Sequence, residues 1–167
     1  MMYWFIALLL LIFFLLLLPC IILKRKEKNP FKDKKRVLPY FRRPLMTPTE
    51  LDVYAILLEA LPKYMIFSQV QASRVLDVPV NKETYYWFNF VSRLSYDFVI
   101  CRTDSTPIAA IEIDDSSHDL PERQEVDFRK DKATLTAGVA MIRWKVGETP
   151  DVKEIAELIE KIDKKAA

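Results

Sequence analysis

The first 23 residues, MMYWFIALLLLIFFLLLLPCIIL, carry no charged side chain, and no other feature restricts the fold of this chain so strongly. A run of about 20 apolar residues is the length at which a helix crosses a bilayer with all its backbone polar groups bonded internally. A cleaved signal peptide needs a basic start, a shorter apolar core and a small residue before the cut, and none is visible. Residues 18–20, Leu-Pro-Cys, outline a lipoprotein cleavage box, but Pro19 is a poor neighbour for a scissile bond and nothing basic precedes the run. The expectation is a single transmembrane helix over residues 1–23 that stays on as an anchor.

Residues 24–45 form a basic, proline-containing linker. Between Lys24 and Arg43 there are ten basic and two acidic residues. That net of +8, against +2 for the whole chain, leaves −6 for residues 44–167. Positive charge collected on the downstream side of a span orients that side toward the cytoplasm, so the expected location is a single-pass inner membrane with the C-terminal domain in the cytoplasm. The expected partners of the linker are anionic lipid headgroups, worth about 1 kcal/mol per basic residue. A DNA-tracking arm is the alternative, and the acidic domain beyond it works against tight nucleic-acid binding. Cys20 at the membrane edge and Cys101 in an apolar run are not expected to pair, so a reducing compartment suffices.

Residues 46–167 suffice for one ordinary core. Thr47, Pro48 and Glu50 give a helix start with a capping box. Leu51, Tyr54, Ala55 and Leu58 follow at helical spacing as an expected inward face, and Pro62 ends the helix. Residues 64–70 read as a strand. Residues 77–95 hold an aromatic cluster (Tyr85, Tyr86, Trp87, Phe88 and Phe90) read as a short helix or lid, either packed or offering a base-stacking surface. Two continuous apolar runs, 96–101 and 108–113, are separated by Thr-Asp-Ser-Thr and predict a hairpin of buried strands. A helix from Pro121 to a stop at Gly138 follows, then a strand around 139–144. A final helix carries Val152, Ile155, Ile159 and Ile162 on one stripe. The order is helix, three strands, helix, strand, helix, a mixed α/β domain with its sheet covered on both faces.

The hairpin has a chemical consequence. Asp97 near the head of one strand and Glu112 near the end of its antiparallel neighbour fall at the same end of the sheet, and Asp114 shares a face with Glu112 because strand side chains alternate. Clustered carboxylates repel and raise one another's pKa unless a cation lies among them. Mg²⁺ is satisfied by two or three such oxygens plus water and phosphate, and Mn²⁺ suits the same oxygen ligands. Phosphodiester hydrolysis is the reaction such an ion serves.

Taken in order, Asp97-Phe98-Val99-Ile100, Ile111-Glu112-Ile113-Asp114, His118, the Arg129 to Ala133 run and Ile142-Arg143-Trp144 resemble the PD-(D/E)XK nuclease superfamily. The resemblance covers residues 46–144 and is closest to short-patch-repair-endonuclease-like domains and related uncharacterised bacterial domains. It implies a restriction-endonuclease-like core, with Asp97, Glu112, Asp114 and His118 as catalytic residues, Asp97 and Glu112 among them as metal ligands with Glu50 beside the metal, and His118 as general acid/base or phosphate contact. Asp114 stands where that superfamily has its lysine, and Tyr96 stands where it has proline. Lys130 and Arg123 are the nucleic-acid contact candidates, although Arg123 with Asp127 and Glu125 with Arg129 also stand at ion-pair spacing. Arg143 is expected to pair with a carboxylate at the end of the sheet.

The function expected from this pattern is a membrane-anchored, Mg²⁺-dependent nuclease acting on DNA. The alternatives are a catalytically degenerate module of the same fold that binds nucleic acid or a partner protein, and a tethered scaffold whose acidic face meets a basic partner.

Overall fold

The computed structural model describes residues 3–4, 6, 11–14, 29–114 and 121–166, with the side chains of 121–123 and 166 outside the description. The chain divides into two units, Met1–Arg42 and Arg43–Ala167. In the first, residues 3–4, 6 and 11–14 are helical. Most of the expected span lies outside the described residues. Among the described residues, no helix is long and apolar enough to cross a membrane. Of the linker, residues 30–32 make one 3₁₀ turn capped by Asn29, whose side chain accepts from the amide of Phe31.

The second unit is a mixed α/β fold around one four-stranded sheet. Its elements are α1 (Pro48–Ala60), β1 (Met65–Gln71), a 3₁₀ turn (Ala72–Arg74), α2 (Thr84–Val91), β2 (Ser95–Cys101), β3 (Pro107–Asp114), α3 (Pro121–Thr136), β4 (Ala140–Lys145) and α4 (Val152–Ala166). The strands lie in the order β1-β2-β3-β4. The first two pairings are antiparallel, and the crossover through α3 makes β4 parallel to β3. A parallel return needs a long connection, and α3 supplies it before Gly138, at φ +79°, turns the chain into β4.

The central strands are buried on both faces, as their unbroken apolar runs require. One face packs Phe98, Ile100 and Ile111 with Val53 and Leu57 of α1 and Ile155 and Ile159 of α4. The other packs Val99 and Ala110 with Leu76, Val91 and Val139. Tyr96 lies on this second face, its hydroxyl 2.6 Å from Thr134 Oγ1 of α3. At the far end of the sheet, Asp163 of α4 accepts from Arg102 Nε at 2.6 Å and from the Tyr64 hydroxyl at 3.2 Å, tying the helix to the rims of β1 and β2.

The final helix buries Ile155 and Ile159 of its expected stripe completely. Helix α1 corrects its expected face. Val53, Leu57 and Ala60 are the buried residues, while Leu51 and Leu58 are about half exposed. Residues 53–58 of this helix are all apolar, so spacing alone does not select the inward stripe.

Candidate functional site

A row of polar residues crosses the sheet. Parallel pairing sets Glu112 of β3 against Arg143 of β4. On the other side, the β2–β3 register pairs Phe98 with Ile111, so one step further along Asp97 stands across from Glu112. The β1–β2 register pairs Ser68 with Phe98 and Val70 with Tyr96, which sets Gln69 opposite Asp97. Gln69, Asp97, Glu112 and Arg143 thus stand abreast on four strands.

Glu112 is 6 % exposed. Its Oε2 lies 2.6 Å from Nζ of Lys130, which α3 lays over the sheet and which is itself 8 % exposed. Lys130 also donates to the Ser95 carbonyl at 3.2 Å, and its ammonium sits 5.9 Å from the centroid of the Tyr96 ring. The other oxygen, Oε1, is buried without a hydrogen-bond partner among the described residues. Burial raises the Glu112 pKa to about 7, with Lys130 opposing the shift and Asp97 adding to it. An unpartnered buried carboxylate oxygen is costly, so this is the least satisfied position in the described core.

Asp97 is anchored by the backbone amide of Ile113, which donates to Oδ2 at 2.8 Å. Its pKa is raised, chiefly by burial and also by Glu50, against the Ile113 bond and Lys130. Glu50 is drawn toward its own helix start. Its Oε2 accepts from the Thr47 amide at 2.6 Å to complete the capping box, and Oε1 accepts from Gln69 Nε2 at 3.1 Å. The Gln69 amide reaches Asp97 Oδ1 as well, at 3.5 Å. Gln69 does this from φ +54°, a left-handed conformation that a side chain with a Cβ rarely adopts and that costs of order 1 kcal/mol or more.

Asp114 lies in a different setting two residues along β3. Arg143 Nη1 grips both its oxygens, at 2.8 and 3.0 Å. The same guanidinium reaches Asp131 at 2.9 Å and Asp127 at 3.2 Å through Nη2. Burial works against the charge of Arg143, but its bonds to Asp131 and Asp114 outweigh that and hold its pKa above the ordinary value. Glu125 pairs with Arg129 at 2.8 Å. His118 lies outside the described residues. Arg123 falls in the first turn of α3, with its side chain outside the description.

The expected ligand trio of Asp97, Glu112 and Glu50 does not close into a cage. Among the described residues, no group of three or more His, Cys, Asp or Glu side chains is arranged to hold a metal ion. The capping box takes one oxygen of Glu50, and Lys130 takes one of Glu112. What remains is a pair of carboxylates with an orphan oxygen. That pair fits a cation which uses one or two carboxylates and completes its shell with water and substrate phosphate, as Mg²⁺ does.

Lys130, expected as a nucleic-acid contact, is instead the buried partner of Glu112. One signal was present in the sequence: Lys130 and Thr134 stand one helical turn apart on the face of α3 that looks at the sheet. Gln69 gave none, since a glutamine in an alternating strand carries no mark of left-handed backbone.

Residues 42–164 match the DUF2726 family, described as a protein of unknown function, and the chain belongs to that family. No curated protein and no solved structure matches it.

Proposed function

We propose that this DUF2726 domain is a metal-dependent nuclease of the PD-(D/E)XK kind, acting on DNA, with Asp97 and Glu112 as the cation ligands. The observation that carries this reading is the orphan Oε1 of Glu112, buried beside Asp97 in a row of polar residues with Lys130 on its other oxygen. A core selected for stability alone would have an apolar side chain there, because a buried ion pair rarely repays its desolvation. When bound, Mg²⁺ or Mn²⁺ would supply neutralisation of the phosphoryl oxygens and a more acidic water.

The chain's own residues have separable roles in this reading. Lys130, reaching in from α3, takes over the part of the lysine that β3 lacks at Asp114. Its ammonium opposes the effect of burial on Glu112 and lies near the space where a phosphate would meet the carboxylates. Asp97 is held by the Ile113 amide, and Gln69 spaces it from Glu50. Asp114 belongs to the Arg143 clasp, which secures α3 to β3 and thereby fixes Lys130. His118 remains a candidate general acid/base. Residues 1–23 are read as the anchor, with the basic linker on anionic headgroups and the domain on the cytoplasmic side.

The test is nicking of supercoiled plasmid by the full chain with Mg²⁺ or Mn²⁺. Nicking by the wild type that is lost in Glu112→Gln and Asp97→Asn supports hydrolysis at this site. The second reading, a degenerate binding module, is favoured by the lack of a third carboxylate ligand among the described residues. Salt-sensitive DNA binding with no nicking by the wild type would select it.

A further inference from the structure

The short helix α2 is unlike every other helix of the domain. Tyr85, Tyr86, Trp87, Phe88 and Phe90 are between 40 % and 80 % exposed, and only Val91 of its residues is buried. The rings of Tyr86, Trp87 and Phe90 pack edge-on or tilted against one another, with centroids 5.0 to 6.2 Å apart. Their outer faces are left open to solvent.

Between the end of α2 and α3 runs a groove of about 680 Å³ lined by Asn89, Phe90, Arg93, Leu94, Val126 and Arg129. Two of its lining residues adjoin, in sequence, residues of the candidate site. Leu94 precedes Ser95, whose carbonyl holds Lys130, and Arg129 is the residue before Lys130. Arg129 is held by Glu125. Among the described residues, no ion pair engages Arg93.

We propose that α2 and this groove receive a single-stranded stretch of nucleic acid, with bases stacked on the aromatic rings and a phosphate on Arg93. This deepens the nuclease reading and rests on it, because it names the form of substrate led to Glu112 and Asp97. The groove's own groups favour that occupant locally, against the net charge of −6 carried by residues 44–167. Guanidinium groups match phosphate geometry, and aromatic platforms beside arginines bind unpaired strands with little sequence preference. The stacked bases of a duplex offer no free faces to such rings. A lipid-seated helix would present one apolar face with its basic residues on the other. Here the rings surround the helix, and the arginines line a concavity beside Phe90.

The experiment is fluorescence anisotropy with the full chain in detergent micelles and EDTA present, so that nothing is cleaved. The probes are a labelled oligothymidylate of roughly 30 nucleotides and a duplex of the same length. The single strand is expected to bind at least about tenfold more tightly than the duplex. Tyr86→Ala should weaken single-strand binding about tenfold, and Tyr86→Phe should restore it. Arg93→Ala should reduce the slope of log affinity against log salt by about 1. Equal binding of duplex, or indifference to both Tyr86→Ala and Arg93→Ala, overturns the proposal. So does loss of binding to phosphatidylglycerol vesicles in Tyr86→Ala when the oligonucleotide does not bind at all, because the surface then belongs to lipid.

Glu112→Gln separates the two readings, since it should abolish nicking while leaving single-strand binding intact. Nicking without a single-strand preference overturns the groove and leaves the nuclease standing. Single-strand binding by a wild type that never nicks overturns the nuclease and leaves the groove as a binding surface.

Discussion

Strand β3 carries two charged clusters two residues apart, built from the same chemistry to opposite ends. At Asp114 one arginine meets three aspartates, and all four side chains remain partly exposed. At Glu112 one lysine meets one glutamate, both nearly sealed from solvent, and an oxygen is left over. The first cluster joins α3, β3 and β4 with bonds that each group can satisfy. The second retains charge where burial disfavours it, and leaves that charge incompletely answered. Stability explains the first. Nothing among the described residues answers the second, and the proposed cation would.

The widest separation between the clusters is expected in rate. Glu112→Gln should reduce nicking by about 10³, equal to about 4 kcal/mol of barrier. Asp114→Asn should leave the rate within about threefold once the protein is folded, because its carboxylate serves the Arg143 clasp. Comparable losses from the two variants, measured as single-turnover rates on plasmid, would erase the distinction.

Stability sharpens it next. Lys130→Ala strands a buried carboxylate and should destabilise by about 3–5 kcal/mol in denaturant titrations. Replacing both partners, as in Glu112→Leu with Lys130→Met, should be neutral or stabilising by up to about 4 kcal/mol while nicking disappears. A large loss of stability in the double variant would instead make this pair a structural device like the Arg143 cluster.

The pH dependence follows from the raised pKa of Glu112. Between the ordinary glutamate value of 4.5 and about 7, the unfolded chain has released this proton and the folded chain still holds it. The stability due to Glu112 is therefore complete below that window and is lost as pH rises through it, on the order of 3 kcal/mol in all. Thermal unfolding of Glu112→Gln should lack that part of the slope, and Asp114→Asn should keep it. Identical slopes in wild type and Glu112→Gln would contradict the raised value.

The smallest effect concerns Gln69. Gly accepts φ +54° without strain, so Gln69→Gly should be more stable by about 0.5–1 kcal/mol and yet less active, having lost the amide between Glu50 and Asp97. Unchanged activity would assign the strained residue no part in the site.

The sequence carries these features unequally, for physical reasons. Buried central strands need unbroken apolar runs, so the β2–β3 hairpin and the meeting of Asp97 with Glu112 could be read directly. The start of α1 is written locally in Thr47, Pro48 and Glu50, and the capping box forms as those residues require. That same local bond explains why Glu50 stays with its helix rather than joining a third ligand position. The Glu112–Lys130 contact spans 18 positions and depends on how the α3 crossover returns over the sheet, which no local pattern encodes. Arg143 was expected at a carboxylate, and Asp114 is one of the three it finds. Its two partners on α3, Asp127 and Asp131, follow from helical spacing only once α3 is known to face β4.

Calorimetric titration of Mn²⁺ into the full chain above pH 7, where Glu112 is ionised, tests the cation site most directly. The expected result is saturable binding by the wild type that vanishes in Glu112→Gln and persists in Asp114→Asn. Absence of binding at millimolar Mn²⁺ in the wild type, or binding that survives loss of the Glu112 carboxylate, would contradict it.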